Sequence, residues 1–393
     1  MTDNRWFVLS VLFASRVAMA FQFQAVAALS PVYMSRFDLA LADIGLLIGI
    51  YLAPGLVIAL PGGAIGRRFG GRLVIVVGMV LMIAGAIAMV SLETWGGQLL
   101  GRLLAGTGGV LLNVLMSKVV TDLFAGREIA TAMGIFVNSW PVGIAAALLF
   151  LPLIGPPDDP QAAQILVLFC AVAGLTLFVL GTRGIHQTDA TQLDPAPLTG
   201  AALIALVLAG AIWGLYNGAL AMVFGFAPSL LVEQGWSLKA ASASTSVVLW
   251  LVAISVPLGG VLADRLGRRD TVMVIGFLGF GLCLCLVPGA QNILPLFVLL
   301  GLFGGLSAGP IMSLPAQVLA PGNRALGMGV YFTLFYAGVV LAPMVGGAVS
   351  DAAGTVNAAF YFGAVQLVLC CMALAAFRRM ARQASEITPS SGS

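Results

Sequence analysis

Charge is what this chain has least of. Only 8% of its 393 residues are Asp, Glu, Lys or Arg, while 60% are hydrophobic; soluble domains carry roughly 25% charged residues. No soluble core buries that much apolar surface. Histidine is nearly missing as well, and the single His186 falls in a polar stretch where a solvated role suffices. The five cysteines, Cys170, Cys283, Cys285, Cys370 and Cys371, lie inside apolar runs without metal-ligand spacing and read as reduced core residues. The sequence shows no nucleotide-binding loop, no metal-ligand cluster and no nucleophile beside a base. Primary ATP-driven transport and membrane enzymology therefore have no visible machinery, and no cofactor is called for. With 18 basic and 15 acidic residues the net charge is +3, which argues against nucleic acid as a partner.

What the sequence does have is apolar length. Twelve stretches of about 20 residues would each cross the roughly 30 Å hydrocarbon layer. Gly, Pro and charge clusters separate apolar runs near 6–35, 43–66, 73–92, 96–120, 129–154, 162–182, 199–232, 239–263, 271–289, 293–319, 325–350 and 357–377. The first run is too long for a cleaved signal peptide and contains Arg16, so it is expected to remain as the first span. A cytoplasmic amino terminus puts 14 of the 18 basic residues on the inner side, with only Arg36 and Lys239 outside and Arg16 and Arg102 within spans. The positive-inside rule then predicts both termini in the cytoplasm. The polar stretch 183–198 reads as a linker between a first bundle, 1–182, and a second, 199–377, followed by a tail, 378–393. The expected fold class is an all-α membrane protein of twelve transmembrane helices in two six-helix, pseudo-symmetric bundles.

Sliding the chain along itself by 197 residues pairs Gly62-Gly63 with Gly259-Gly260, Arg68 with Arg265, Gly70 with Gly267, Arg72 with Arg269 and Pro31 with Pro228. A second block, AMGIFVNSWPVG at 132–143, meets GMGVYFTLFYAG at 327–338 at a shift of 195. Such a parallel duplication marks one large class of secondary transporters. The stretch from Gly260 to Arg269, with Leu262, Ala263, Asp264, Arg265, Gly267 and Arg268 in order, resembles the G-x-L-a-D-R-x-G-R-R loop of the major facilitator superfamily. The first-half equivalent, 63–72, carries Arg67 in place of the Asp. Arg102, Gly106 and Gly108 resemble that family's R-x-x-x-G-x-G in span 4. The span 1 stretch after Arg16, FQFQAVAALSP, and NSWPVG in span 5 are similar to a cyanate-permease-like branch. The resemblance covers essentially the whole chain and implies gating or hinge roles for Arg68, Asp264, Arg265 and Arg268, with Asp264 acting as a conformational latch; the loop arginines suit a hinge anchored to headgroups and neighbouring helix ends, and topology anchoring alone is the alternative. It further implies a central cavity lined by spans 1, 4, 7 and 10.

The most informative residue is Arg16, near the middle of the first span. An arginine at that depth costs at least ~2.5–3.5 kcal/mol on insertion scales and faces a cavity or a partner. Every acidic residue maps to a loop or span end, so carbonyls, amides, hydroxyls, water or an anionic ligand must satisfy the guanidinium, whose planar fork suits a carboxylate or small oxyanion. Gln24 lies 80° round the helix from Arg16 and can flank the same cavity, while Gln22 points about 120° away. Arg102, Gly106, Gly109 and Asn113 form one polar and small stripe of span 4. Arg102, close to the span's outer end, can snorkel and is assigned a structural or gating role, and Asn113 is the deeper cavity candidate. The 197 shift puts Trp213 opposite Arg16, followed by Tyr216 and Asn217. These three, with Asn138, Trp140, Tyr331 and Tyr336 of the repeated span 5 and span 11 block, are candidate wall residues, with plain packing as the alternative for the aromatics.

The sequence thus points to a monomeric inner-membrane transporter that moves a small organic or inorganic anion by alternating access, through symport or exchange. The runner-up is an exporter of lipophilic or cationic compounds, and a non-transporting receptor or sensor is the alternative of another class.

Overall fold

The computed structural model describes residues 5–38, 41–154, 160–183 and 199–387, and no strand occurs among them. Among the described residues, twelve helical segments are long and apolar enough to cross a membrane. They are spans 1 (Arg5–Ala28), 2 (Asp43–Phe69), 3 (Gly71–Ser91), 4 (Trp95–Phe124), 5 (Ile129–Phe150), 6 (Gln161–Gly181), 7 (Gly200–Glu233), 8 (Ala243–Leu266), 9 (Arg269–Gly289), 10 (Ile293–Gln317), 11 (Pro321–Ala353) and 12 (Asn357–Ala384). The expected linker, with His186, lies outside the described residues apart from Arg183.

Local chemistry sets the ends. Thr199 caps the helix of span 7 by accepting from the Ala202 N–H (3.2 Å), and Ser237 caps that of span 8 through Ala240 (3.3 Å). Gly267 closes span 8 at φ +62°, a left-handed conformation that side chains with a Cβ resist. Prolines mark the breaks. Span 1 ends at Ala28, and a separate helix, Ser30–Phe37, follows with Pro31 in its first turn, so the run expected to reach residue 35 is two helices. Span 2 is interrupted at Ala53, just before Pro54, and span 10 at Ser307. The helix of span 12 continues to Ile387, so residues 378–387, expected in the tail, prolong it.

By its internal contacts the chain divides into two compact units. The first comprises Met1–Leu123 and Asn138–Asp194, the second Phe124–Val137 and Pro195–Ser393. The opening turns of span 5 thus group with the second unit. The reason is local: a Cβ on Gly309 would sit 2.6 Å from the Ala130 carbonyl oxygen, and the Thr131 N–H donates to Asp264. Within the first unit, span 6 packs against spans 1 and 3; within the second, span 7 packs against spans 11 and 12, and span 8 against span 10. Gly214 lets span 7 approach span 11 so closely that a Cβ there would meet the Leu334 carbonyl oxygen at 2.7 Å. The cysteines are free, but only Cys283 and Cys370 are buried. Cys285 is exposed on the apolar surface, where a thiol is as compatible with lipid as with a core.

Candidate substrate site

Arg16 sits near the middle of span 1 with its side chain buried (6% exposed). Its Nε donates to Asn113 Oδ1 at 3.0 Å and its Nη1 to Ser139 Oγ at 2.9 Å. The guanidinium also lies 5.8 Å from the centre of the Trp140 ring, and that ring tilts against Phe23 at 4.9 Å. Spans 4 and 5 of the first unit therefore converge on the span 1 cation, span 4 through a neutral amide and span 5 through a hydroxyl and an aromatic face. Asn113, expected as a cavity residue from its place below Arg102 on span 4, is an acceptor for that cation. Its own carbonyl accepts the Ser117 hydroxyl at 2.7 Å. Ser139 was not foreseen. It stands in the polar block beside Asn138, and the only signal for it was its position between two candidates. Asn138 itself is half-buried, and its Oδ1 is enclosed without a hydrogen-bond partner among the described residues.

The two glutamines of span 1 part as their helical angles require. Gln22 is buried, donates to the Met82 carbonyl at 2.9 Å, and keeps its Oε1 unpartnered among the described residues. Gln24 is half-buried, and its side chain makes no hydrogen bond among the described residues.

Arg102 does not snorkel. It is fully buried and donates three hydrogen bonds to backbone carbonyls: Nε to Leu47 (3.0 Å), Nη1 to Gln22 (2.9 Å) and Nη2 to Phe23 (2.9 Å). The guanidinium lies 4.5 Å from the Tyr51 ring centre. A planar donor fork aimed at two neighbouring spans satisfies its charge inside the unit more fully than an extended reach to the interface would. This arrangement clamps span 4 to spans 1 and 2. Nearby, Gln164 donates to the Tyr33 hydroxyl (2.7 Å) and to Gln98 (3.1 Å), and Gln98 donates to the Met89 carbonyl (2.9 Å), a polar network that the sequence did not single out.

In the second unit, Trp213 is buried (7% exposed) and stacks on Tyr216 at 5.4 Å and on Phe335 at 5.8 Å. Its indole Nε1 is enclosed and has no acceptor among the described residues. The other candidates there are engaged locally. The Tyr216 hydroxyl donates to the Gly304 carbonyl, Asn217 Nδ2 to the Trp213 carbonyl (2.8 Å), and the Tyr331 hydroxyl to Met312 Sδ (3.3 Å). Tyr336 packs edge-on against Phe335 at 5.0 Å.

Asp264 is held from two sides. Its Oδ2 accepts from the Thr131 N–H (2.7 Å) in the first turn of span 5, and its Oδ1 accepts from Arg269 Nε (3.1 Å) and Nη2 (2.8 Å). A carboxylate at a helix start meets both an unsatisfied N–H and the positive end of the helix dipole. Arg265 and Arg268 are exposed, as is Arg68, whose guanidinium lies 5.4 Å from the Phe69 ring centre.

The profile of the Major Facilitator Superfamily matches residues 12–243 and again 202–392. The chain belongs to this superfamily. Several matching curated relatives are multidrug resistance protein MdtG of Escherichia coli strains, including K12 / DH10B; the identity is 32% over 165 residues. That alignment spans 40% of each chain, so it covers less than half the length of these relatives. The same architecture occurs in the Escherichia coli fucose:proton symporter FucP, with a TM-score of 0.75, 18% identity and coverage of 95% of this chain and 98% of that one. The human organic anion transporter MFSD10 (TETRAN) superposes with a TM-score of 0.71 at 15% identity, covering 94% of this chain and 99% of that one. At such identities the likeness concerns the fold. This facilitator is accordingly a multi-pass membrane protein.

Proposed function

We propose that this facilitator carries a small organic or inorganic anion, recognised at Arg16. The observation that supports this reading most is the buried guanidinium held by Asn113 and Ser139 against the Trp140 face. A fixed positive charge in a low-dielectric interior attracts an anion far more strongly than in water, and the neutral amide and hydroxyl orient the fork without cancelling its charge. The acidic residues support it from the other side: Asp43 opens span 2, Glu93 follows span 3, Asp122 lies in the last turn of span 4 and Glu233 ends the helix of span 7. A dedicated carboxylate relay at the depth of Arg16 is therefore not part of the reading, and coupling is by exchange, facilitated uptake, or a proton that travels with the substrate. In the same reading the protein is an inner-membrane monomer with two six-helix halves, both termini cytoplasmic, working by alternating access. Gln24, Asn138, Trp213, Tyr216, Asn217, Tyr331 and Tyr336 contribute substrate contacts, and Arg68, Arg102, Asp264, Arg265 and Arg268 govern conformation.

A second reading, export of lipophilic or cationic compounds, is favoured by the sequence likeness to MdtG and by the aromatic stack at Trp213. A thermal-shift screen of purified protein against small anions and lipophilic cations separates the two. Stabilisation by a set of anions, absent in Arg16→Gln, supports the first; stabilisation by cations alone overturns it in favour of the second. In proteoliposomes preloaded with the hit anion, exchange should outpace net uptake.

A further inference from the structure

Six arginines lie in two short segments of the second unit, Arg265, Arg268 and Arg269 in the turn after span 8, and Arg378, Arg379 and Arg382 at the end of span 12. The fold brings these segments together: spans 9 and 12 pack on each other, and Arg378 Nη2 is bonded to Asp270 Oδ1 in the first turn of span 9 while Nη1 bonds Gln317. The two acidic residues within these segments are both engaged, Asp264 by Arg269 and Asp270 by Arg378. Six positive charges against two negative ones remain, and Arg265, Arg268, Arg379 and Arg382 are exposed. Arg127 and Glu128, just before span 5, add one charge of each sign.

The apolar surface begins beside this patch. Leu266 is 57% exposed two residues before Arg268, and Met372 is 63% exposed less than two turns before Arg378. Guanidinium groups above side chains of that kind match an amphiphile whose anionic phosphate sits above its acyl chains. A soluble phosphate ester would use the arginines but gain nothing from Leu266 or Met372.

We propose that this end of the second unit, formed by the 264–270 turn and the last turns of span 12, is a binding site for the headgroup of an anionic phospholipid. The planar forks of Arg268 and Arg379 grip the phosphate, and the acyl chains lie along spans 8 and 12. The Asp270–Arg378 ion pair holds the two basic segments at a fixed spacing.

The test is a titration of detergent-purified full-length protein with short-chain phosphatidylglycerol and, separately, phosphatidylcholine of the same chains, with bound lipid counted by native mass spectrometry. Phosphatidylglycerol should bind at least tenfold more tightly. Arg268→Gln and Arg379→Gln should each weaken it about fivefold, with an unchanged Tm because neither side chain makes an intramolecular bond among the described residues. Arg36→Gln, an exposed arginine of the first unit, should leave the preference intact. Equal binding of the two lipids, or wild-type binding by the Arg268→Gln/Arg379→Gln double variant, would overturn the proposal. So would competition by soluble glycerophosphoglycerol at the same concentration as the lipid, since the site would then be one for free phosphate esters.

Discussion

At equivalent places in the two repeats the first unit holds Arg16 and the second holds Trp213, 197 residues on. Around Arg16 the neighbours are an amide, a hydroxyl and an indole face; around Trp213 they are the rings of Tyr216 and Phe335. The first unit also buries Arg102 and a Gln98–Gln164–Tyr33 network, whereas the polar tips near Trp213 are spent on the backbone of their own unit. Duplication therefore preserved the helical scaffold and its glycine contacts while the interior chemistry diverged. One repeat carries charge and its ligands, the other carries aromatic surface, and the division of labour lies in side chains rather than in the fold.

The contrast is broken most severely at Arg102. Arg102→Leu removes three charge-assisted hydrogen bonds that join span 4 to spans 1 and 2 and leaves buried carbonyls without them. A loss of about 4 kcal/mol follows from such a change, and it should appear as a sharp fall in Tm and in the yield of folded protein from membranes. A variant with wild-type Tm would show that the clamp does not hold the first unit together.

Next in size is the effect of Arg16→Gln on transport. The charge is lost while an amide remains to meet Asn113 and Ser139, so folding should survive while transport kcat/KM falls about 100-fold, the scale of a charged hydrogen bond worth about 3 kcal/mol. Arg16→Lys should recover little, because an ammonium cannot present two parallel N–H groups. Full activity in a well-folded Arg16→Gln protein would remove the first unit's claim to the substrate.

A smaller effect is expected at Asp264, where the second unit carries its own charged contact. Asp264→Asn keeps an acceptor for the Thr131 N–H but weakens the pairing with Arg269. Turnover should slow about fivefold, from roughly 1 kcal/mol of weakened charge-assisted bonding, with KM within a factor of two. A collapse of affinity at unchanged maximal rate would place Asp264 in binding rather than cycling. Arg67 stands where the first repeat lacks the acid, so this carboxylate contact has no counterpart residue in the first repeat's loop.

The spans and the duplication were legible because hydrocarbon thickness imposes a length on every helix and because loop arginines and glycines recur at one spacing. Arg16 and Asn113 were legible for a related reason: a polar group at mid-depth is costly enough to need a purpose, and helical angles put the stripe of span 4 on one face. Ser139 was not, since serine is small enough to be tolerated in a span without one. The inward turn of Arg102 is not legible, because distance from a helix end does not specify which carbonyls of neighbouring spans lie within reach. Tyr216 and Tyr331 show the same limit, for nothing in the sequence says that Gly304 and Met312 take their hydroxyls. The grouping of Phe124–Val137 with the second unit likewise depends on close backbone approaches at Gly134, Gly260 and Gly309, which only the three-dimensional packing reveals.

The finest discrimination comes from Trp213→Phe. Phenylalanine preserves a ring to stack on Tyr216 and Phe335, and the deleted Nε1–H makes no hydrogen bond among the described residues. If the indole served packing alone, both Tm and transport would stay near wild type, because the lost area is small and a buried donor without an acceptor contributes no stability. If instead that donor meets the anion during the cycle, one neutral hydrogen bond is forfeited, about 1 kcal/mol net. The expected result is a KM raised about fivefold at unchanged Tm, measured by anion exchange in proteoliposomes. Trp213→Leu provides the contrast, since it also removes the stack and should lower Tm. An unchanged KM for Trp213→Phe would return Trp213 to packing and leave substrate recognition to the first unit.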